Sequence, residues 1–570
     1  MTDIAEPSPI EPSVSKARAA WIVRSPIAYL LILLFALALF LPGLRTLPAV
    51  DRDEARFAQA SRQMIESGDY VDIHLQDEAR LKKPVGIYWL QAAATMLAGG
   101  ERQNNPVWTY RLPSLLGALG AVLVTLAIGR RWLGAEAGFI GAALLAATLL
   151  LGFEARQAKT DAVLLLTVLL AMMPLAEAWV PDSEYALALP RRQWALFWVA
   201  LGVGILIKGP IVVMVAGLTA LVLAVYDRGT GWLMRLRPWP GVVITAAIAL
   251  PWLIAIMVSS HGAFLTQSLG HDMAAKLTGG QESHGGPPGT YLALFPVTFW
   301  PSSLFALLAL PWVWRNRGDR GVILALAWVV PSWIVFEAVP TKLPHYVLPL
   351  YPAIALLSGA ALADRLAQPA ITDWRRLATR AAIGLWALIG FVLGIAIIAA
   401  APLGDGRLSI RGLGAGALLW ALTAAGAHFA WQGERGKAAL LALPMAILAW
   451  GMTFGAALPA LDAPWIAPRL AEALYRKMPA GHGPVLIAGY GEPSAVIAFG
   501  TDVRFGTGAD AAKLLADTPD GIAIVGSDQT EAFKVAIDEA HIALQQLDTV
   551  AGFNYAKGKR ISLTLYHRGP

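Results

Sequence analysis

Three carboxylates in four residues, Asp51-Arg52-Asp53-Glu54, followed by Ala55-Arg56, stand just after the first long apolar run. Carboxylates at a membrane boundary are costly unless solvated or paired. One reading is a helix start, with Asp53 as N-cap and Glu54 in the first turn, where negative charge suits the dipole. The other is a carboxylate base held at headgroup depth. The residues alone weigh the two evenly. A second candidate is Lys82-Lys83-Pro84-Val85-Gly86-Ile87-Tyr88-Trp89. Lysines at a helix start oppose the dipole; a phosphate gripped by cations and free backbone N–H groups would account for them. The plainer reading is snorkelling, with Tyr88 and Trp89 in the interfacial belt.

A third set sits at other helix ends: Glu154, Arg156, Lys159 and Asp161; Lys208; His271, Asp272 and Lys276; His284; and Lys342, His345 and Tyr346. Each alone reads as a solvated loop end, but together they converge on one membrane face. Zero Cys excludes disulfides and thiolate metal sites. The metal-ligand candidates are His271 and Asp272 with His284, so a divalent metal ion is the one cofactor left open. Gly489-Tyr490-Gly491 lacks the rest of a dinucleotide fingerprint and reads as a plain turn. No nucleic-acid partner is expected.

These residues need a scaffold, and composition names its solvent. The chain is 56% hydrophobic and 15% charged over 570 residues, with a mean hydropathy of +0.56. Soluble chains are nearer a quarter charged, so much of this surface must face lipid. A span needs about 20 mostly apolar residues. About 13 spans are predicted, near 26–45, 111–129, 135–153, 162–180, 194–208, 210–226, 241–258, 291–313, 321–338, 345–363, 381–402, 413–432 and 439–460. The 194–226 stretch divides at Lys208-Gly209-Pro210. Residues 1–25 read as a cytoplasmic disordered tail.

With the N-terminus inside, the inner loops collect Arg130 and Arg131, Arg191 and Arg192, Arg235 and Arg237, Arg315 and Arg317, and Arg375 and Arg376. This obeys the positive-inside rule and sets the C-terminal segment outside. The loop 46–110 is the exception, since it is basic yet external. Acidic residues interleave with its cations, which favours an anion-binding role. Its stretches 53–66 and 85–97 predict two helices on the membrane surface. Residues 466–570 alternate short strands (485–490, 495–500, 521–526, 561–566) with helices (466–478, 509–517, 529–540), which predicts a small α/β domain.

The run Asp53-Glu54-Ala55-Arg56-Phe57-Ala58, with Gly68-Asp69-Tyr70, Lys83-Pro84, Tyr88-Trp89 and Arg111-Leu112-Pro113, resembles the first periplasmic loop of bacterial polyprenyl-phosphate-sugar-dependent glycosyltransferases. These include the aminoarabinose transferase of lipid A and relatives of the protein O-mannosyltransferases. Lys159-Thr160-Asp161, Lys208-Gly209, Trp300-Pro301 and the run from Thr341 to Pro349 fit as well. The resemblance implies a GT-C fold: a transmembrane catalytic domain over 26–465 and a periplasmic α/β domain over 466–570, in the bacterial inner membrane. It implies Asp53 as the catalytic carboxylate and Arg56, Lys83 and Lys276 as donor-phosphate ligands. Glu54, Tyr88, Asp161, Lys342, His345 and Tyr346 would line the site. The implied reaction moves a sugar, with inversion, from a polyprenyl (undecaprenyl) phosphate to lipid A, another envelope glycan or a protein. The aminoarabinose transferases carry Glu-Lys-Pro where this chain reads Lys82-Lys83-Pro84, so a plausible metal ligand is replaced by a cation. The competing reading is a transporter or flippase of lipid-linked sugars. It predicts ionisable residues deep in the spans or related halves, and neither is evident.

Overall fold

The computed structural model describes residues 21–99, 105–179, 189–267, 285–364, 373–478 and 481–569. Among these residues eight helices are long and apolar enough to cross a membrane: Val107–Trp132, Asp161–Trp179, Pro238–Ser259, Arg320–Ala338, Pro344–Ala363, Arg376–Asp405, Ile410–Trp431 and Arg435–Ala457. Three shorter apolar helices, Ile27–Phe40, Ala135–Ala147 and Ile211–Tyr226, and the helix Arg191–Lys208 fall on four further expected spans. The last is the bent pair Thr290–Thr298 and Ser303–Arg315, whose halves meet at 118°. All thirteen expected spans thus have a helical counterpart among the described residues.

Two of them differ from the expected straight rods. The 291–313 stretch breaks at Phe299-Trp300-Pro301-Ser302, where Pro301 has no N–H to continue a helix. The 135–153 stretch divides at Thr148, whose backbone is extended, into Ala135–Ala147 and Leu149–Glu154. The division at Lys208-Gly209-Pro210 stands as read, with Gly209 at φ 69°.

Lipid is the solvent these helices require. Only 22% of the apolar window is buried in Pro238–Ser259 and in Arg376–Asp405. Val243, Ile254, Val258, Leu388, Phe391 and Val392 all face outward. Monomeric soluble proteins rarely carry apolar patches of this extent. The chain is a multi-pass membrane protein.

Between the first two spans lie the helices Asp53–Ser67 and Gly86–Leu97, joined through a small antiparallel hairpin, His74–Leu75 with Glu78–Ala79. The first helix ends at Gly68, left-handed at φ 75°. Its start corrects the expectation: Arg52 is the N-cap residue, at φ 69°, and Asp53 is already the first helical residue. The second helix begins at Gly86, a position where nothing larger fits. A Cβ at that position would lie 2.8 Å from the backbone oxygen of Leu206. The close approach docks the Lys83 segment on the helix that ends at Lys208.

At the C-terminus a five-stranded sheet runs in the order Arg504–Gly506, Val485–Ala488, Ile522–Gly526, Lys559–Arg568, Leu544–Asn554. The first three strands are mutually parallel and the last two join antiparallel. The expected strand at 495–500 is instead the helix Pro493–Phe499. Pro493 in its first turn and Gly500 beyond its end, at φ 99°, are helix-boundary signals that outrank the short apolar run. Leu544–Asn554 was not anticipated. Its outer-strand position leaves most of its residues exposed or half-buried, so hydrophobic alternation is faint.

Candidate active site

The helix Asp53–Ser67 is locked at its start by its second residue. Glu54 is fully buried and takes a bidentate ion pair from Arg111, Nε to Oε1 at 2.7 Å and Nη2 to Oε2 at 2.9 Å. The same carboxylate accepts the backbone N–H groups of Val50 and Ala158, at 2.8 and 2.9 Å. Arg111 also donates to the carbonyls of Leu44, Leu47 and Pro48. Four segments therefore meet at Glu54, and Asp53, one residue earlier, is aimed by that anchor.

Asp53 faces a cleft of about 290 Å³. Its other charged lining is Arg56, Glu78, Arg80, Lys82, Lys83, Lys159, Asp161 and Lys208, with His345 and Tyr346 closing one side. The basic residues thus outnumber the carboxylates six to three, with His345 counted as neutral. A cavity with that balance suits an anion, and its low-dielectric walls strengthen each charge. Lys208 pairs with Asp161 and lies over the Tyr346 ring, 5.1 Å from its centroid. Lys159 is 3.0 Å from Glu154 and 3.8 Å from Asp161. Burial disfavours the Lys159 ammonium, yet Glu154, Asp161 and Asp53 outweigh that cost and hold its pKa above the ordinary lysine value.

The sequence candidates divide accordingly. Asp53, Arg56, Lys83, Asp161, His345 and Tyr346 come together in the cleft. Glu54 does not line it, because Arg111 holds it inside the protein. Tyr88 lies one layer behind, fully buried, accepting a hydrogen bond from Arg80 Nε at 3.0 Å and packing on Phe57. Lys342 turns away between two cleft residues, Thr341 and Leu343. It donates to the carbonyls of Phe336 and Glu337 at 2.9 and 2.6 Å. Lys276, His271, Asp272 and His284 lie outside the described residues. Arg80, Lys82, Lys159 and Lys208 also line the cleft: the sequence offers Lys82 with Lys83 as a phosphate grip, Lys159 and Lys208 among the converging helix-end charges, and Arg80 only as one cation of the basic first loop.

The C-terminal sheet domain reaches this helix start from the other side. Asp51 accepts the Ser494 backbone N–H at 3.0 Å and the Tyr490 hydroxyl at 3.3 Å. The Asp51 N–H donates to the Tyr555 hydroxyl at 2.7 Å, and the Arg52 guanidinium donates to the Ala556 carbonyl. The turn at Gly489-Tyr490-Gly491 thus delivers Tyr490 to Asp51. Burial pushes the Asp51 carboxyl up to about 6 against the lowering effect of those hydrogen bonds. A wider groove of about 750 Å³ adjoins the cleft through Arg56, Leu75 and Glu78, and the sheet domain lines it with Glu492, Arg504 and Lys557.

The fold and cleft define a class: a multi-pass membrane protein with charged residues gathered at helix ends beside the first loop. Comparison with known proteins agrees. Residues 82–254 match the family model described as dolichyl-phosphate-mannose-protein mannosyltransferase. The chain is 28% identical over 347 residues to undecaprenyl phosphate-alpha-4-amino-4-deoxy-L-arabinose arabinosyl transferase 2 of Pseudomonas fluorescens (strain Pf0-1), covering 60% of this chain and 59% of that one. It is 28% identical over 317 residues to the corresponding transferase of Pseudomonas aeruginosa (strain LESB58), covering 55% and 56%. These matches span less than two thirds of either relative. The crystal structure of ArnT from Cupriavidus metallidurans bound to undecaprenyl phosphate superposes with a TM-score of 0.73 at 20% identity, over 96% of this chain and 98% of that one. The resemblance read from the first loop therefore holds in sequence and in fold.

Proposed function

We propose that this chain is an inverting glycosyltransferase of the bacterial inner membrane. It takes a sugar from a polyprenyl phosphate, undecaprenyl phosphate being the one named for its relatives, and sets it on a periplasmic acceptor such as lipid A, another envelope glycan or a protein. The observation that carries this reading is the meeting of Asp53, Arg56 and Lys83 in one cation-rich cleft. Residues 26–465 form the catalytic domain and 466–570 the periplasmic domain, with the cleft and that domain on the periplasmic side.

In this mechanism the acceptor hydroxyl attacks the anomeric carbon as the bond from that carbon to the phosphate oxygen breaks. The lipid phosphate leaves with the electron pair, and Asp53 takes the acceptor's proton. Arg56 and Lys83 stabilise the charge that grows on the departing phosphate. The lipid tail lies along the membrane face of the bundle, and the acceptor approaches through the groove shared with the sheet domain. The test is purified, reconstituted protein given labelled polyprenyl-phosphate sugar and envelope acceptors. Labelled acceptor is the expected result; movement of donor across the bilayer without product would show a transporter.

A further inference from the structure

Behind the cleft lies a group with the composition of a metal site. Glu154, Asp161 and His345 are all buried, and one ligand atom from each falls within 4.8 Å of the others. One acidic pair with an imidazole suits Zn²⁺ or Mn²⁺. The centre of this group already holds a positive charge. The Lys159 Nζ is 3.0 Å from Glu154 Oε1, 3.8 Å from Asp161 Oδ2 and 3.5 Å from His345 Nδ1. An ammonium has three protons and no acceptor, so His345 Nδ1 accepts and Nε2 carries the ring proton, 3.9 Å from Asp161 Oδ1.

A metal bound at about 2.0–2.2 Å to these same atoms would compete with that Nζ for the Glu154 and His345 lone pairs. Charge gives the same answer. Lys159 and Lys208 already balance Glu154 and Asp161, so a divalent ion would add two uncompensated charges to a buried site. The cleft in front is itself cation-rich. One oxygen, Glu154 Oε2, is buried without a hydrogen-bond partner. Departure of the lysine would free Glu154 Oε1 as well, leaving the whole carboxylate ready for a metal.

We propose that the Lys159 ammonium stands in the place of a divalent cation among Glu154, Asp161 and His345, positioning Asp161 and His345 at the cleft, so that the cleft works without a metal at this site. The statement about working rests on the transfer reading above; the statement about the site does not.

The experiment equilibrates purified full-length protein with Zn²⁺ or Mn²⁺, desalts it, and measures bound metal and melting temperature. Wild type is expected to retain no metal that His345→Ala loses. Lys159→Gln, which removes the charge and keeps a polar side chain, is expected to retain one equivalent and to gain a metal-dependent rise in melting temperature. Lys159→Gln/His345→Ala should lose both. Wild type that retains one equivalent, lost in His345→Ala, overturns the proposal, and so does Lys159→Gln that takes up none. If Lys159→Gln fails to fold, metal retention by wild type and His345→Ala decides: equal retention in the two supports the proposal, and an equivalent present in wild type but lost in His345→Ala overturns it. Wild type that transfers no sugar under any condition sinks the transfer reading and leaves the metal measurement standing.

Discussion

Glu54→Gln separates the anchor of this site from its chemistry. The substitution keeps shape but removes the charge that Arg111 meets, in a pair with no solvent exposure on either side. Breaking one partner of a buried pair costs about 3–5 kcal/mol. In either orientation the amide nitrogen must also face an Arg111 N–H and the backbone N–H of Ala158 or Val50, which leaves a donor unmatched for about 1–3 kcal/mol more. The loss is therefore about 4 kcal/mol or greater, against a typical total of about 5–15 kcal/mol. Chemical unfolding in detergent, followed by tryptophan fluorescence, measures it. Arg111→Met strands the Glu54 carboxylate and the carbonyls of Leu44, Leu47 and Pro48. The double variant should cost less than the sum of the singles by about 1–3 kcal/mol, as for residues in direct contact. Asp53→Asn, one position earlier but facing the cleft, should stay within about 1 kcal/mol of wild type. A stable Glu54→Gln protein, or singles that simply add, would refute the clamp.

Three further outcomes follow from the same geometry. Asp51 has a folded pKa of about 6, above its ordinary 3.8, so the folded state binds the extra proton between those values. Its contribution to stability is full below about pH 4 and lost as pH rises through 6; Asp51→Asn should flatten that part of the melting-temperature profile and leave the protein no less stable at pH 7. Gly86→Ala drives a Cβ to 2.8 Å from the Leu206 carbonyl oxygen, a backbone clash worth about 1–3 kcal/mol; thermal unfolding should show the loss, with weakened donor binding although Lys83 is intact. Lys83→Met removes a hydrogen bond to a charged group worth about 1.5–3 kcal/mol, so kcat/KM for the lipid-linked donor should fall roughly 10- to 100-fold, with the fold unchanged by circular dichroism.

Much of this is legible in the sequence, for physical reasons. Spans announce themselves because lipid demands long apolar helices, and the break at Lys208-Gly209-Pro210 was visible in its turn residues. The first-loop helices and the cleft residues Asp53, Arg56 and Lys83 were legible because charge at a membrane boundary needs a reason. What the chain order hides is direction. Glu54, Tyr88 and Lys342 are neighbours of cleft residues, but each turns inward to another partner: Arg111, Arg80 and the Phe336 carbonyl. The arrival of Lys159 and Lys208 beside the first loop depends on helix packing, which one sequence does not spell out. The helix Pro493–Phe499 shows a short apolar run read by composition when its boundary residues held the answer.

The central claim is that Asp53 takes part in sugar transfer while the neighbouring cations hold the lipid phosphate. Donor affinity and single-turnover transfer, measured side by side on wild type and Asp53→Asn in nanodiscs, test it most directly. The account predicts that the variant binds polyprenyl-phosphate sugar within a few-fold of wild type and forms no product. Product formed at the wild-type rate would contradict it.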